Sequence, residues 1–277
     1  MSGILYLVVT PIGNLEDITL RAIRVLREVD LIAAEDTRHS LKLLNHLEIS
    51  KPLFSYHRHN EEVKSDYLID KLLNGENIAL ITDAGTPAIS DPGEFIVKRA
   101  IENNISIVPI PGCCALINAL ICSGFDTKEF AFYGFLPLNK KLRSGKFEEL
   151  KKEKKTIILY EAPHKIVTTL NDIYKNMGDV NVVLARELTK IHESFLRGKV
   201  SELIAQMENI KGGMIVLIEG NQDVQEVEKE SLSIEEQYEL YKREGLSKNE
   251  IIKKIAKNNG VKKNEIYMQF IDKDLNN

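Results

Sequence analysis

The chain has 277 residues, 43% hydrophobic and 28% charged, with a formal net charge of −4. That length supports one large domain or two medium ones, with enough core to need no covalent staples. The composition excludes a collagen-like, extensively disordered or disulfide-built chain.

Ser2 to Val9 is apolar but lacks a basic leader and is broken by Pro11 and Gly13, so it does not read as a signal peptide. Ile4 to Val9 instead predicts a strand. Ile18, Ala22, Ile23, Val25, Leu26 and Val29 recur at helical spacing. Leu31 to Ala34 reads as a second strand, and Leu41, Leu43, Leu44 and Leu47 as a helix. Val63 to Leu73 predicts a helix ended by Gly75, and Ile78 to Thr82 a buried strand. Asp91, Pro92 and Glu94 fit the N-cap, first and third positions of a further helix. Asn103 to Phe125 is uncharged and long enough to span a bilayer. Pro109, Pro111 and Gly112 interrupt it, and strand Ile105–Pro109 followed by helix Cys113–Cys122 accounts for it. The expectation is a soluble, cytoplasmic protein. Three cysteines, Cys113, Cys114 and Cys122, without CxxC spacing, fit a reducing compartment and predict no metal.

The β-α-β-α rhythm predicts a largely parallel sheet covered on both faces. Gly124 to Lys128 marks a boundary. Beyond it, Phe130–Phe135, Thr156–Tyr160, Val182–Arg186 and Met214–Glu219 read as strands, with Phe195 in one more. Helices fit at Phe147–Lys154, Pro163–Lys175 and Ser201–Met207. After Gly220 the character changes: Asp223 to Glu244 holds eight acids and three bases. Ser233 with Glu236, and Ser247 with Glu250, fit capping boxes. Gly245 and Gly260 fit helix C-caps. Three short helices follow, with Ile252, Ile255, Ala256, Val261, Ile266 and Phe270 as their core and Asn258 to Val261 as a helix-turn-helix bend. The expected organisation is α/β, with domains 1–125 and 126–222 and a helical tail 223–277. That tail is read either as a solvated cap or as a nucleic-acid contact.

Ligands of open α/β sheets bind outside the carboxyl ends of the strands. There stand Thr10-Pro-Ile-Gly-Asn14, Glu35-Asp-Thr-Arg38, Asp83-Ala-Gly-Thr-Pro87 running on through Ile89-Ser-Asp-Pro-Gly93, and Pro111-Gly-Cys-Cys114. Neither GxxxxGK[ST] nor GxGxxG occurs, so a polyphosphate cradle and the dinucleotide fingerprint are absent from the sequence. A nucleoside without a polyphosphate suits these loops. Tyr160-Glu-Ala-Pro-His-Lys165 and Ala185-Arg-Glu-Leu-Thr-Lys190 place charged groups at further strand ends, with His192, Glu193 and Arg197 close behind. His164 suits acid–base work near neutral pH, as do His39, His57 and His59, although no acid or cysteine completes a metal set around His57 and His59. Lys140 to Lys155 holds eight bases and three acids; it is either a solvated helix face or an RNA contact, since local patches rather than net charge set the field. Arg21, Arg24 and Arg27 extend a basic rim.

Six segments in this order, Thr10-Pro-Ile-Gly-Asn-Leu-Glu-Asp17, Ala34-Glu-Asp-Thr-Arg38, Thr82 through Gly93, Tyr160-Glu-Ala-Pro-His164, Leu184-Ala-Arg-Glu-Leu-Thr189 and Gly212-Gly-Met-Ile-Val216, closely resemble the ribosomal RNA small subunit methyltransferase I family of the tetrapyrrole methylase superfamily. The likeness spans about residues 4–220 and the tail. It implies two α/β domains with S-adenosylmethionine in the cleft between them, 2′-O-methylation of a cytidine in the decoding region of small-subunit rRNA, and a homodimer acting on that RNA or on the assembled subunit, without a membrane or metal. It places the cofactor against Pro11, Asp83, Ala84, Gly85, Cys113, Cys114, Glu161, Ala162, Gly213 and Met214. The first loop departs from relatives that modify tetrapyrroles: Pro11-Ile-Gly13 replaces their common Gly-x-Gly.

A ribose hydroxyl is a weak nucleophile, so a base or strong electrostatic help is expected. Candidates are Glu35, Asp36, His39, Glu161, His164 and Glu187. Asp36 and Arg38 rank first for catalysis, with Glu161 and His164 beside them, and Arg38, Lys165, Arg186 and Lys190 suit flanking phosphates. Two rivals remain at this point: a small-molecule methyltransferase of the tetrapyrrole type, and a non-catalytic RNA-binding assembly protein.

Overall fold

A computed structural model describes residues 2–206, 213–221, 233–243, 246–259 and 261–274. Met207, Gly212, Gly245, Gly260 and most of the acidic run before Ser233 lie outside the described residues. Residues 1–221 form one compact unit and 222–277 another.

The first unit begins with five strands, β1 (Ile4–Val8), β2 (Leu31–Ala34), β3 (Leu53–Ser55), β4 (Ile78–Ile81) and β5 (Ser106–Ile110). They pair in the order β3-β2-β4-β1-β5, and every pairing is parallel. Four helices intervene: α1 (Leu20–Glu28), α2 (Thr37–His46), α3 (Glu61–Leu73) and α4 (Glu94–Glu102). The side-chain period of two divides the strands between two cores. Leu31, Ala33, Ile78 and Leu80 pack with Leu68, Leu72 and Ile96 of α3 and α4. Ile32, Ala34, Ala79 and Ile81 pack with Val25, Leu26 and Leu44 of α1 and α2. A parallel sheet covered on both faces is the outcome, as the near-continuous apolar strands require.

The second sheet holds β6 (Phe130–Phe135), β7 (Thr156–Glu161), β8 (Asn181–Arg186), β9 (Ser194–Lys199) and β10 (Met214–Ile218) in the order β6-β7-β10-β8-β9. Only β6 and β7 run parallel; β10 is antiparallel to both neighbours, and β8 to β9. One face packs on α6 (Lys140–Leu150), α7 (Ile166–Met177) and α8 (Val200–Ala205), through Phe147, Leu170 and Leu203. The other face is covered by α5 (Ala115–Ile121), whose Leu116, Ala119 and Leu120 join Ile158, Val183, Ile215 and Leu217. The helix that follows the last strand of the first sheet is therefore a layer of the second.

Several sequence expectations need correction. The N-cap of α4 is Gly93 at φ 139°, not Asp91, and its amide is satisfied by Glu61 Oε2 at 3.2 Å. Asn139 caps α6 by accepting from the Lys141 and Leu142 amides, which starts that helix seven residues before Phe147. Cys113 and Cys114 lie ahead of α5, with Cys114 as its N-cap in extended backbone. Pro163–Lys165 is a separate 3-10 turn before α7. The three-residue β3 is absent from the sequence expectation because three residues are too short to show a period.

The second unit comprises α9 (Ile234–Arg243), α10 (Lys248–Asn258) and α11 (Lys263–Asp274). Both Ser-x-x-Glu boxes form: Ser233 N donates to Glu236 Oε2 at 2.7 Å, and Ser247 N to Glu250 Oε2 at 3.0 Å. Ile251, Ile252, Ile255, Ala256 and Ile266 make its core, against Tyr238 and Phe270 stacked at 4.4 Å. Val261, expected inside, is 37% exposed. No helix among the described residues is long and apolar enough to cross a membrane.

Leu217 is fully buried at the centre of the second sheet, in the core shared with α5. Leu217→Ala should cost about 2–5 kcal/mol by urea denaturation; a loss near zero would mean that α5 does not close that face.

Candidate active site

The site begins with backbone pairing between strand ends of the first sheet. The Thr10 amide donates to Gly85 O and the Gly85 amide to Thr10 O, both at 3.0 Å. Gly85 sits at φ 90°, a conformation open to glycine but strained for other residues. Thr10 Oγ1 donates to Thr82 O and Thr86 Oγ1 to Cys113 O, each at 3.1 Å. Three loops are thereby tied at the carboxyl edge. The first loop also meets the second sheet. A Cβ on Gly13 would lie 2.9 Å from Thr189 Oγ1 and 3.1 Å from Leu188 O, so glycine permits the approach.

Between these edges lies a cleft of about 300 Å³. Ala84, Gly85, Thr86, Ser90 and Asp91 line it from the first sheet, and Tyr160, Glu161, Glu187, Lys190, Gly213 and Met214 from the second. Ile12, Cys114, Ala115, Ile215 and Leu188 supply apolar wall. Tyr160 sits edge-on to Phe132 at 4.9 Å and to Phe135 at 5.7 Å. Of the non-glycine residues held at positive φ, Ala88, Ser90, Glu187 and Thr189 all lie on the two loops that flank the cleft. Strain of that kind costs about 1–3 kcal/mol per residue and persists where the surroundings impose it.

The electrostatics are unusual on the first-sheet side. Burial, then the Asp91–Glu35 and Asp91–Asp83 repulsions, push the Asp91 carboxyl up to about 6, against a relieving Arg58. Glu35 is also raised, by burial and then by Asp83. The Tyr160 hydroxyl is pushed up to about 12, mainly by burial. Arg58 Nη2 donates to Ser90 O at 3.1 Å, which fixes the loop bearing Asp91. On the second-sheet side, Glu161 is 6% exposed and both carboxyl oxygens are engaged. Oε1 accepts from the Ala162 amide at 2.8 Å and Oε2 from the buried Thr169 hydroxyl at 2.5 Å. That hydroxyl accepts in turn from Arg143 Nη2 at 2.8 Å, and Arg143 Nε donates to Asp172 Oδ2 at 2.7 Å.

The chain matches the family model for tetrapyrrole (corrin/porphyrin) methylases over residues 4–204. It is 50% identical over 270 residues to the "Ribosomal RNA small subunit methyltransferase I" of Halalkalibacterium halodurans, covering 96% of this chain and 93% of the relative. It belongs to the ribosomal RNA small subunit methyltransferase I family. The protein of that name from Bacillus subtilis is 48% identical over 271 residues, again 96% of this chain and 93% of the relative. A solved uroporphyrin-III C-methyltransferase from Thermus thermophilus, complexed with S-adenosylhomocysteine, superposes with a TM-score of 0.56 at 15% identity, over 78% of this chain and 97% of that one. That likeness is one of fold.

Against this family background, the residues singled out from sequence fall into three places. Ala84, Gly85, Cys114, Glu161, Gly213 and Met214 line the cleft. Pro11, Asp83, Cys113 and Ala162 stand just behind it. Pro11 is buried; Asp83 Oδ1 accepts from the Asp36 amide at 3.1 Å; Cys113 O holds Thr86; and the Ala162 amide anchors Glu161. Asp36, Arg38 and His164 do not line it. Asp36 caps α2 and pairs with Arg38, whose side chain is 90% exposed, and His164 is exposed on the 3-10 turn. Asp91, expected as a helix cap, and Tyr160, expected only as a strand end, both line the cleft. The signal that could have found Asp91 was the Ala-Ile-Ser-Asp-Pro-Gly run itself, too long for a plain helix entry. Among the described residues no group of three or more His, Cys, Asp or Glu is placed to hold a metal ion.

Thr169→Val removes the one hydroxyl that serves both Glu161 and Arg143, and should cost about 1–3 kcal/mol in denaturant unfolding; a neutral variant would show that neither partner depends on it. Asp91 is raised from 3.8 to about 6, so its stabilising contribution is complete below 3.8 and is lost as pH rises through 6. Asp91→Asn should therefore be more stable than the parent at pH 7–8, by about 1–2 kcal/mol after solvent screening, and equal to it below about pH 4. Urea midpoints across that range check this, and a pH-independent difference would refute it.

Proposed function

We propose that this protein transfers a methyl group from S-adenosylmethionine to the 2′-oxygen of a cytidine ribose in the decoding region of small-subunit ribosomal RNA, as a cytoplasmic homodimer. The observation that carries the reading is the near-full-length identity to the named rRNA methyltransferases. The polar, aromatic-floored cleft at the strand ends is compatible with it. The Pro11-Ile-Gly13 loop is pressed against Leu188 and Thr189 on the second-sheet side.

The cleft fits a nucleoside linked to an amino acid. Its lining pairs apolar wall with backbone groups at Ala84, Gly85, Cys114 and Met214. A Cβ at Gly213 would meet nothing within 4 Å, which leaves open space at the entry to β10. These residues, with Tyr160 as floor, would hold the cofactor. When bound, it supplies an electrophilic methyl group on a sulfonium.

The protein's part is alignment and proton removal. Asp91 is the carboxyl in the cleft that accepts no hydrogen bond from the described residues, and its pKa near 6 leaves it mostly ionised at neutral pH while still able to take a proton from the ribose hydroxyl. Glu161, with both oxygens occupied, positions the strand end rather than moving a proton. Lys190, tied to Glu187 Oε1 at 3.0 Å, and the exposed Arg38 offer cations to RNA phosphates at the rim.

Incubation of the protein with labelled S-adenosylmethionine and small subunits lacking native modification tests this. The expected product is a single cytidine methylated on the ribose; a methylated base would displace the 2′-oxygen reading, and no transfer to subunits or to naked rRNA would overturn the activity. Asp91→Asn should lower kcat about 10²–10⁴-fold and abolish the rise of kcat/KM through about pH 6. Retention of that rise would assign the proton to another group.

A further inference from the structure

We propose that a second cavity, behind Glu161 on the α6–α7 side, is a binding site for a backbone phosphodiester of the RNA substrate. The inference rests on the RNA-methylation reading above. The cavity is about 590 Å³. It brings together side chains that are far apart in sequence: Lys140, Arg143 and Ser144 of α6, Lys165 of the 3-10 turn, and Thr168 and Lys175 of α7. Asp172 is its one acidic lining residue, and it is already paired with Arg143 Nε at 2.7 Å. No carboxylate among the described residues lies within ion-pair distance of the Lys140, Lys165 or Lys175 ammonium groups. Four cations against one acid in a concave site, with the hydroxyls of Ser144, Thr168 and Thr169 among its lining, match a phosphate in charge and in donor chemistry.

Two features separate this site from an ordinary basic helix face. Arg143 is held from two sides, by Asp172 and by the buried Thr169 hydroxyl, so its guanidinium is preset; its side chain is only 16% exposed. Through Thr169 it is also two hydrogen bonds from Glu161, which lines the cleft. A phosphate seated here would place the RNA strand next to the carboxyl-bearing end of β7, and Arg143 would sense its presence at that carboxyl.

Lys140→Ala/Lys175→Ala tests the site, and Lys151→Ala/Lys152→Ala removes the same charge from the same basic run outside the cavity. Binding of a fluorescently labelled single-stranded RNA oligonucleotide is measured against salt, alongside S-adenosylhomocysteine affinity by calorimetry. The cavity pair should weaken RNA binding about tenfold and reduce the slope of log affinity against log salt by about 1. S-adenosylhomocysteine affinity should stay that of the parent, as should RNA binding by the control pair. Unchanged RNA affinity in the cavity pair, or an equal loss in the control pair, would overturn the proposal. If the parent binds the oligonucleotide but methylates no RNA, the functional reading fails while the binding comparison still decides the cavity.

Discussion

Two backbone hydrogen bonds between Thr10 and Gly85 set the geometry on which the candidate site depends. They join the end of β1 to the loop after β4, and a parallel sheet offers no such pairing beyond its strands unless a loop turns back. Gly85 at positive φ provides that reversal. With Thr86 then bound to Cys113 O, the loops after β1, β4 and β5 behave as one rim. Threonine hydroxyls and main-chain groups make this rim, and Asp91 on the loop after β4 adds the one carboxyl that the first sheet presents to the cleft. Such a surface recognises a ligand by shape and hydrogen bonding, in keeping with the lack of any polyphosphate motif.

The opposite wall uses a different device. Its rigidity comes from a polar chain that runs from buried Glu161 and Thr169 to the half-buried Arg143 and Asp172, in which each member satisfies the next. Partly satisfied networks of this kind are costly, whereas complete ones specify a single arrangement. A rim of backbone bonds faces a wall of fixed side chains, and the strained turns at Ala88, Ser90, Glu187 and Thr189 lie where the two approach.

The first sheet was legible because parallel strands buried on both faces leave unmistakable four- or five-residue apolar runs, as at Leu31–Ala34 and Ile78–Ile81. The tail was legible for another reason: serine and glutamate three apart announce helix starts, and both boxes form. The β8-β10-β7 antiparallel arrangement was not legible, because an apolar run such as Met-Ile-Val-Leu-Ile gives no sign of its direction. Nor was the role of α5, whose apolar face fits either sheet equally well by pattern. In the site, glycine-punctuated loops pointed to the right edge of the sheet. Asp91 was hidden because Asp-Pro-x-Glu spells a helix cap, and only the turn at Gly93 moves the cap two residues on. Asp36 and Arg38 show the converse: a charged loop at a strand end whose members satisfy each other at the surface.

The central position of β10 bears on how the chain emerges during synthesis. The first sheet is complete once residue 110 has appeared. The second waits for residues 214–218, because β10 separates β7 from β8 and pairs with both. Until then two strands with buried side chains present open edges to one another and to neighbouring chains, the situation in which sheets associate wrongly. A chain halted before that point would hold a complete first sheet joined to a second sheet that still lacks its central strand.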